Sequence, residues 1–475
     1  MIAGATGPVC LRNNNLGVQK QQPGRASGGY PCGEGQRATP VGGRVATLVA
    51  RMGEDVPSTS LHRGPVQPGG QRRRAALICA FPRAVAVEVP DSGTVLGRAW
   101  LSKHGLSDTE VSSAHVRIDR SGGVLRVADA GSRNGTWVNG SKLGPRDLVP
   151  LEDGAILRLG RTLLVSRERL SGSLDPAAPV GALIGPFGLR GVAETLAGLE
   201  RGRPSNVLIE GETGVGKELA ARAVAAALGR EAPFAAVNVP GVAAGVFESQ
   251  MFGHVAGAFS GARGAAPGIV LSHNRGALFL DEIGELGLQL QVKLLRLLEN
   301  RELLPVGAQR PVQVDVLILA ATNRDLEAMI EDGTFRRDLF ARLAMARLRL
   351  PPLRERAEDV FAVACELGRR AGAELSAQDV EVEAVERLML EGWPSNVREL
   401  DAVLAAVRRV DPAPGLRLWA LEEVLGRRRG GRPALTQVAV DAALSAARGN
   451  VTAAADQLGI SRGKLLRFRK RVRES

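Results

Sequence analysis

The sequence predicts a multidomain chain: an all-β sandwich, an α/β domain on a parallel sheet with a helical subdomain, and a small all-α module. Three observations carry this. Over residues 75–168, short runs such as AVAVEV, VLRVAD, AILRLG and TLLVS are separated by Gly, Asp and Asn, as in a β-sandwich. Over 180–410, apolar strands (NVLIEG, GALFLDE, VDVLILAAT) alternate with helical stretches (ELAARAVAAAL, QLQVKLLRLLEN), as in a parallel sheet covered by helices. Residues 434–475 hold three short helical patterns broken at Gly449, Asn450 and Gly459. A length of 475 residues accommodates three such units.

The remaining segments read as connections. Residues 1–74 are basic, rich in Gly and Pro and without helical or strand period, and are expected to be disordered. Residues 169–179 and 411–433 read as linkers, the second containing a short helical stretch and ending in RRRGGRP. Net charge is +12, but residues 1–74 carry ten basic and three acidic side chains, and residues 426–475 carry twelve and three. The body is therefore mildly acidic while the ends are basic, and a basic C-terminal module points to nucleic acid.

Composition excludes several classes. Hydrophobic residues make up 44%, too many for wholesale disorder. No apolar run approaches the ~20 residues of a membrane helix, and MIAGATGPVC lacks the charged and apolar regions of a secretory leader. Cys10, Cys32, Cys79 and Cys365 are scattered and the five histidines form no ligand-spaced cluster, which disfavours disulfides and structural zinc. A reduced, cytoplasmic setting is expected.

The chemistry concentrates in the α/β region. GETGVGKE (Gly211, Glu212, Thr213, Gly214, Val215, Gly216, Lys217, Glu218) follows a strand and precedes a helix. Glycines let backbone N–H groups turn toward phosphate, the helix N-terminus adds positive potential, and Lys217 brings a point charge to the terminal phosphates. GALFLDEIGEL ends a buried strand in Asp281 and Glu282. That pair suits Mg²⁺ holding by Asp281 and activation of the attacking water by Glu282, with ATP as the nucleotide. Thr322 and Asn323 end the next strand, where polar groups can sense the terminal phosphate. Arg336 and Arg342, six residues apart in FRRDLFARL on a helical stretch, suit the charge that develops in phosphoryl transfer.

Together with FGHVAGAFSGA, RLPPLRER and GWPSNVREL, these motifs resemble the central AAA+ domain of bacterial sigma-54-dependent transcription activators. The resemblance implies an ATP hydrolase working as a ring oligomer, usually a hexamer. It implies that Arg336 and Arg342 reach a neighbouring subunit's nucleotide, that Asn238 restrains Glu282, and that Arg398 contacts phosphates from the helical subdomain. It implies further that the loop Gly257, Ala258, Phe259, Ser260, Gly261 and Ala262 contacts sigma-54 in the RNA polymerase holoenzyme. An aromatic tip on a loop of small residues suits a grip-and-release contact. Glu218 after the lysine is characteristic of that family. The chain departs from the pattern at Ser260 (usually Thr), at Val255 and Ala256 (usually charged), at Ser395 (usually Gly) and at Arg275 (usually Gly). The Val255–Ala256 change leaves open a DNA-binding AAA+ regulator that no longer engages sigma-54.

The sandwich carries LGR (Leu96–Arg98), SSAH (Ser112–His115) and SRNGTWVNG (Ser132–Gly140), and resembles a forkhead-associated (FHA) domain. By that resemblance Arg98, Ser112, Ser113, Arg133 and Asn134 meet a phosphothreonine protein or peptide, and His115 and Asn139 brace the loops. A dianionic phosphate calls for such guanidinium, hydroxyl and amide donors. AAADQLGISRGKLLRF resembles the Fis-type helix-turn-helix. Ser461 then caps a recognition helix whose Arg462, Gly463, Lys464 and Arg467 face double-stranded DNA.

Overall fold

A computed structural model describes residues 74–428, apart from 91, 122–123, 171–172 and 242–243, together with residue 451. The N-terminal basic segment up to residue 73, and the C-terminal module with Ser461, Arg462, Gly463, Lys464 and Arg467, lie outside the described residues.

The first unit holds β1 (Arg74–Phe81), β2 (Val85–Glu88), β3 (Val95–Leu96), α1 (Arg98–Lys103), β4 (Val116–Ser121), β5 (Val124–Asp129), β6 (Thr136–Val138), β7 (Ser141–Lys142), β8 (Val149–Pro150), β9 (Ile156–Leu159) and β10 (Thr162–Leu170). They form a four-stranded sheet, β3-β4-β5-β8, and a six-stranded sheet, β2-β1-β10-β9-β6-β7. The short helix α1 interrupts an otherwise all-β domain, and β10 runs two residues into the expected linker.

The larger sheet is buried on both faces. Along β1, Leu77 and Cys79 enter the core between the sheets, whereas Ala80 and Phe81 join a second cluster outside the sandwich. On β9 and β10, Leu157, Leu159 and Leu164 face inward, while Ile156, Leu163 and Val165 join that outer cluster. Strands covered on both faces read as continuous apolar runs. ICAF and TLLV are such runs.

The second unit is the α/β domain: α2 (Arg190–Gly202), β11 (Asn206–Glu210), α3 (Lys217–Ala227), β12 (Phe234–Asn238), α4 (Ala244–Phe252), α5 (Gly268–Ser272), β13 (Ala277–Asp281), α6 (Leu288–Asn300), β14 (Glu302–Leu303), β15 (Val312–Gln313), β16 (Leu317–Thr322), α7 (Leu326–Glu331), α8 (Arg337–Leu343) and β17 (Arg347–Arg349). Its sheet is parallel throughout, in the order β12-β13-β16-β11-β17. Leu208, Leu278, Leu280, Ile318 and Ala320 pack toward α4, α6 and α8, and Val207, Ile209, Phe279 and Leu319 pack toward α2 and α3. Every strand C-terminus opens on the same edge, which is where such sheets place ligands.

The helical subdomain, or lid, holds α9 (Val360–Arg370), α10 (Val382–Met389), α11 (Asn396–Val410) and α12 (Leu418–Arg428). Residues 418–428, inside the expected second linker, form a helix because Leu421, Val424 and Leu425 complete the lid core. Trp393 is fully buried and donates its Nε1–H to the Leu388 carbonyl at 2.8 Å. Two of the unusual positions now have a backbone account. Ser395 sits at φ −108°, which needs no glycine, whereas Arg275 sits at φ +67°, a left-handed conformation that favours one. Cys79 and Cys365 are unpaired, and burial pushes their thiols up to about 12 and about 11, so neither is primed to react. No described helix is long and apolar enough to cross a membrane.

Candidate functional site

A cleft of about 310 Å³ opens between the sheet edge and the lid. Thr213, Gly214, Val215, Gly216, Lys217 and Glu218 form its floor, Asp281 and Glu282 one wall, and Arg398 and Asp401 of the lid another. Its apolar end, with Leu183, Ile184, Val363, Leu367 and Val397, suits a flat base, and the polar end suits phosphates. Gly214 (φ +76°) and Gly216 (φ +106°) are left-handed, and a side chain at Gly214 would strike the Ser395 carbonyl. The phosphate loop thus needs glycine both for its turn and for its closeness to the lid.

Lys217 opens α3, and its ammonium donates to the carbonyls of Gly211 (3.1 Å) and Glu212 (3.4 Å). Burial is the largest influence on it and lowers its pKa, Asp281 and Glu282 pull the other way, and Arg398 adds a smaller lowering. Burial thus outweighs the pull of the two carboxylates on this cation, a setting that suits a phosphate-binding lysine. Asp281 accepts the Glu282 N–H at 3.1 Å. Glu282 itself is left-handed (φ +58°, ψ +49°), an uncommon backbone state found at functional sites.

The other predicted residues divide. Asn323 donates its Nδ2 to Thr213 Oγ1 at 2.9 Å and so touches the phosphate loop. Thr322 does not face the cleft. It is buried, and its Oγ1 accepts the Arg324 N–H at 3.0 Å, closing the turn after β16. Asn238 is exposed at the end of β12, in register with Asp281, and no hydrogen bond to Glu282 is formed among the described residues. Arg336 precedes α8 and Arg342 lies in its last turn. Their guanidiniums pair with Asp338 (2.6 Å) and Glu299 (3.1 Å), away from this chain's own cleft.

Glu212 turns toward the lid, not into the cleft. Arg354 grips its carboxylate with two hydrogen bonds, at 2.7 and 2.6 Å, and Asn396 adds a third at 3.1 Å. The Arg354 bonds are the main reason that this carboxyl lies below its usual pKa. Asn396 also donates to the Thr213 carbonyl at 3.1 Å and accepts the Leu353 N–H at 2.7 Å. Arg354 and Asn396 are therefore a latch between lid and phosphate loop that reading the motifs separately misses. The signal was present in RLPPLRER and WPSNVREL, but no spacing in the sequence brings those motifs beside Glu212.

Phe259 is 47% exposed at the tip of its loop, with its ring edge-on to His254 at 5.1 Å. The loop is closed by Gly257 N–H to the Ala262 carbonyl (2.8 Å) and Ala262 N–H to the Phe259 carbonyl (3.0 Å). Gly257 (φ +79°) and Gly261 (φ +109°) flank it, Ser260 is exposed and Ala258 is half-exposed, while Ala262 is buried as its anchor. At its base, Val255 N–H donates to the Val306 carbonyl beside the β14–β15 hairpin.

In the sandwich, the predicted phosphothreonine residues gather on adjoining loops. Arg98 opens α1 and its Nε donates to the Val111 carbonyl at 3.2 Å. Ser112 Oγ accepts the Arg133 N–H at 3.0 Å, and Asn134 Nδ2 donates to the Glu110 carbonyl at 2.7 Å. Arg98, Ser113, Arg133 and Asn134 are exposed. Buried His115 joins Ser112 N–H to the Gly135 carbonyl, and Asn139 Oδ1 accepts the Ile156 N–H. Asp129, not singled out from sequence, accepts the Ser132 and Thr136 hydroxyls at 2.6 Å and the N–H groups of Gly131 and Ser132 at 2.9 Å. Burial works to raise its pKa, but these bonds outweigh it and hold the carboxyl below its usual range.

Comparison with known proteins follows the same division. Residues 94–160 match the FHA domain, 191–349 the sigma-54 interaction domain, and 437–468 the bacterial regulatory protein Fis family. The regulatory protein AtoC of Escherichia coli is 44% identical over 42% of this chain and 44% of its own length. The transcriptional regulatory protein FlbD of Caulobacter vibrioides is 39% identical over 53% of this chain and 57% of its own. The DNA-binding transcriptional regulator NtrC of a Bradyrhizobium species is 36% identical over 70% of this chain and 76% of its own. With the three domain matches in this order, an AAA+ nucleotide cleft and an extended NtrC alignment, the chain belongs to the sigma-54-dependent transcriptional regulators.

Proposed function

We propose that this protein hydrolyses ATP as a ring and uses the cycle to press the Phe259 loop on sigma-54, remodelling the closed complex of RNA polymerase at promoters it reaches through its C-terminal DNA-binding module. Lys217, Asp281, Glu282 and Arg398 converge on one cleft, and this is the observation that most directly supports the reading. Glu282 orients and deprotonates water, Asn238 beside Asp281 tempers it, and Asn323 reports the phosphate end to the loop carrying Thr213. Arg336 and Arg342 serve the neighbouring subunit, which fits their exposure and their distance from their own cleft. Among the described residues no three metal-ligating side chains cluster. Asp281 alone, with water and phosphate oxygens, still suits Mg²⁺, which keeps several waters and takes one or two carboxylates. When bound there, Mg²⁺ supplies neutralisation of phosphate charge. Ser461, Arg462, Gly463, Lys464 and Arg467 read DNA.

The test is transcription in vitro with sigma-54 polymerase, ATP and a cognate promoter. Phe259→Ala should keep ATP turnover within about twofold of wild type and lose at least about 10-fold in open complexes, because it removes a contact and no reacting group. Wild-type protein that hydrolyses ATP but opens no promoter would refute the proposal.

The FHA loops supply the input. Arg98, Ser112, Ser113, Arg133 and Asn134 bind a phosphothreonine made by a protein kinase, with Arg98 as the main charge partner. Arg98→Ala should weaken a phosphothreonine peptide by about 10-fold or more, the worth of one charge-assisted bond to phosphate. Titration calorimetry that finds equal affinity for wild type and variant would remove Arg98 from the site.

A further inference from the structure

The lid and the FHA sandwich share one hydrophobic core. Phe81, Ile156, Leu163 and Val165 of the larger sheet are buried in the same cluster as Val360, Phe361, Val385 and Leu388 of α9 and α10. The Phe81 and Phe361 rings meet edge to face at 4.9 Å. Polar bonds surround this seam: Arg161 donates to the carbonyls of Ala377 (2.9 Å) and Val380 (3.1 Å), and Arg167 pairs with buried Glu358. The sandwich is thus seated on the lid by an apolar centre and a charged border, the anatomy of a specific interface.

One arginine joins the two functional ends of this seam. The phosphothreonine loop carrying Arg133 and Asn134 leads directly into β6, where Trp137 lies opposite Arg158 of β9. The Arg158 guanidinium covers the Trp137 ring at 3.8 Å from its centroid. Its Nη1 then pairs with Glu383 at 2.8 Å, and its Nε with Glu386 at 2.9 Å, both on α10. Arg158 is only 7% exposed and Glu386 5%. Beyond α10, Trp393 holds the Leu388 carbonyl, Asn396 holds Glu212 and Thr213, and Val397 N–H donates to the Gly214 carbonyl at 3.1 Å. The path from the Asn134 loop to the phosphate loop thus runs through buried Arg158, Glu386, Trp393 and Asn396, with Trp137 half-buried and Glu383 exposed at its edge.

The geometry points to Arg158 as a positioning residue for the nucleotide: through Trp137, Glu383 and Glu386 it ties the phosphothreonine loops to the lid, so that occupancy of those loops changes nucleotide affinity. This deepens the reading of the FHA loops proposed above and rests on it for the identity of the signal. The dependence of lid position on Arg158 does not. A partner that stiffens the Arg133–Asn134 loop acts on β6, and the β6–β9 pairing passes the change to α10, which leads through the turn at Trp393 into α11, whose first turn carries Asn396 and Arg398. Binding linkage requires the effect to run equally both ways.

The test uses the full chain, a fluorescent ADP analogue and a degenerate phosphothreonine peptide library. In wild type, saturating library should change the ADP-analogue Kd by about fivefold or more, and ADP should change the library's Kd by the same factor. Arg158→Ala should bring that factor to about one and shift KM for ATP more than kcat, with Arg158→Lys restoring part of the coupling. Glu383→Gln, at the exposed end of the bridge, gives the same direction without leaving a buried charge unpaired, and serves if Arg158→Ala does not fold. A library that binds wild type yet leaves ADP affinity unchanged overturns the inference, as does coupling that survives Arg158→Ala and Glu383→Gln. Failure of the library to bind refutes the phosphothreonine reading instead. In that case an unchanged KM for ATP in Arg158→Ala overturns the positioning role as well.

Discussion

Glu282→Gln is expected to lower ATP hydrolysis by about 100-fold or more while leaving nucleotide affinity within about threefold, the loss typical of a missing general base. The substitution keeps the shape of the side chain and removes its charge. On the proposed reading Lys217, the Gly214 and Gly216 turn, and Arg398 would still hold the phosphates, so binding is expected to survive. What is lost is the acceptor for the water's proton, beside an Asp281 already committed to the Glu282 N–H. Single-turnover hydrolysis and equilibrium binding of an ADP analogue separate the two effects. Hydrolysis at the wild-type rate would reassign the base, and a large loss of binding would make Glu282 a ligand of the nucleotide.

Trp393→Ala should destabilise the lid by about 3–5 kcal/mol, the usual cost of emptying a fully buried aromatic position. Trp393 is 0% exposed, so no water fills the place of its ring without meeting apolar walls. The Leu388 carbonyl loses its indole partner as well. The turn from Trp393 to Asn396 positions the bonds to Glu212 and Thr213, so nucleotide affinity should fall along with the lid's unfolding midpoint. Denaturant melts read at several probes are the appropriate measurement, because a chain with several domains need not unfold in one step. A shift below about 1 kcal/mol would mean that the site collapses around the gap.

Much of the candidate site is legible because its parts are contiguous motifs, which the fold brings to one cleft. The loop from Gly211 to Glu218, the strand ending in Asp281 and Glu282, and the aromatic loop tip each carry their meaning within about ten residues. The pairing of Glu212 with Arg354 and Asn396 was not legible, since the partners are 142 and 184 residues apart and meet only when the lid closes on the sheet. Thr322 was misplaced for a finer reason. Side chains alternate at a strand end, so Asn323 reaches Thr213 while its neighbour turns into the fold. In the sandwich the β-pattern is clear, but short runs between turn residues do not by themselves show that one sheet is covered on both faces. The unbroken runs ICAF and TLLV, and an arginine inside ILRL, were the available signs that a second body covers that sheet.

That second covering changes what amputation can teach. A shortened chain beginning after Leu170 would strip Phe81, Leu163 and Val165 from the lid and bare the greasy flank around Phe361 and Val385 to water. Such a fragment would tend to clump, and its idle or runaway turnover would report a wounded surface, not the release of a brake. Input and engine in this protein are better dissected one side chain at a time.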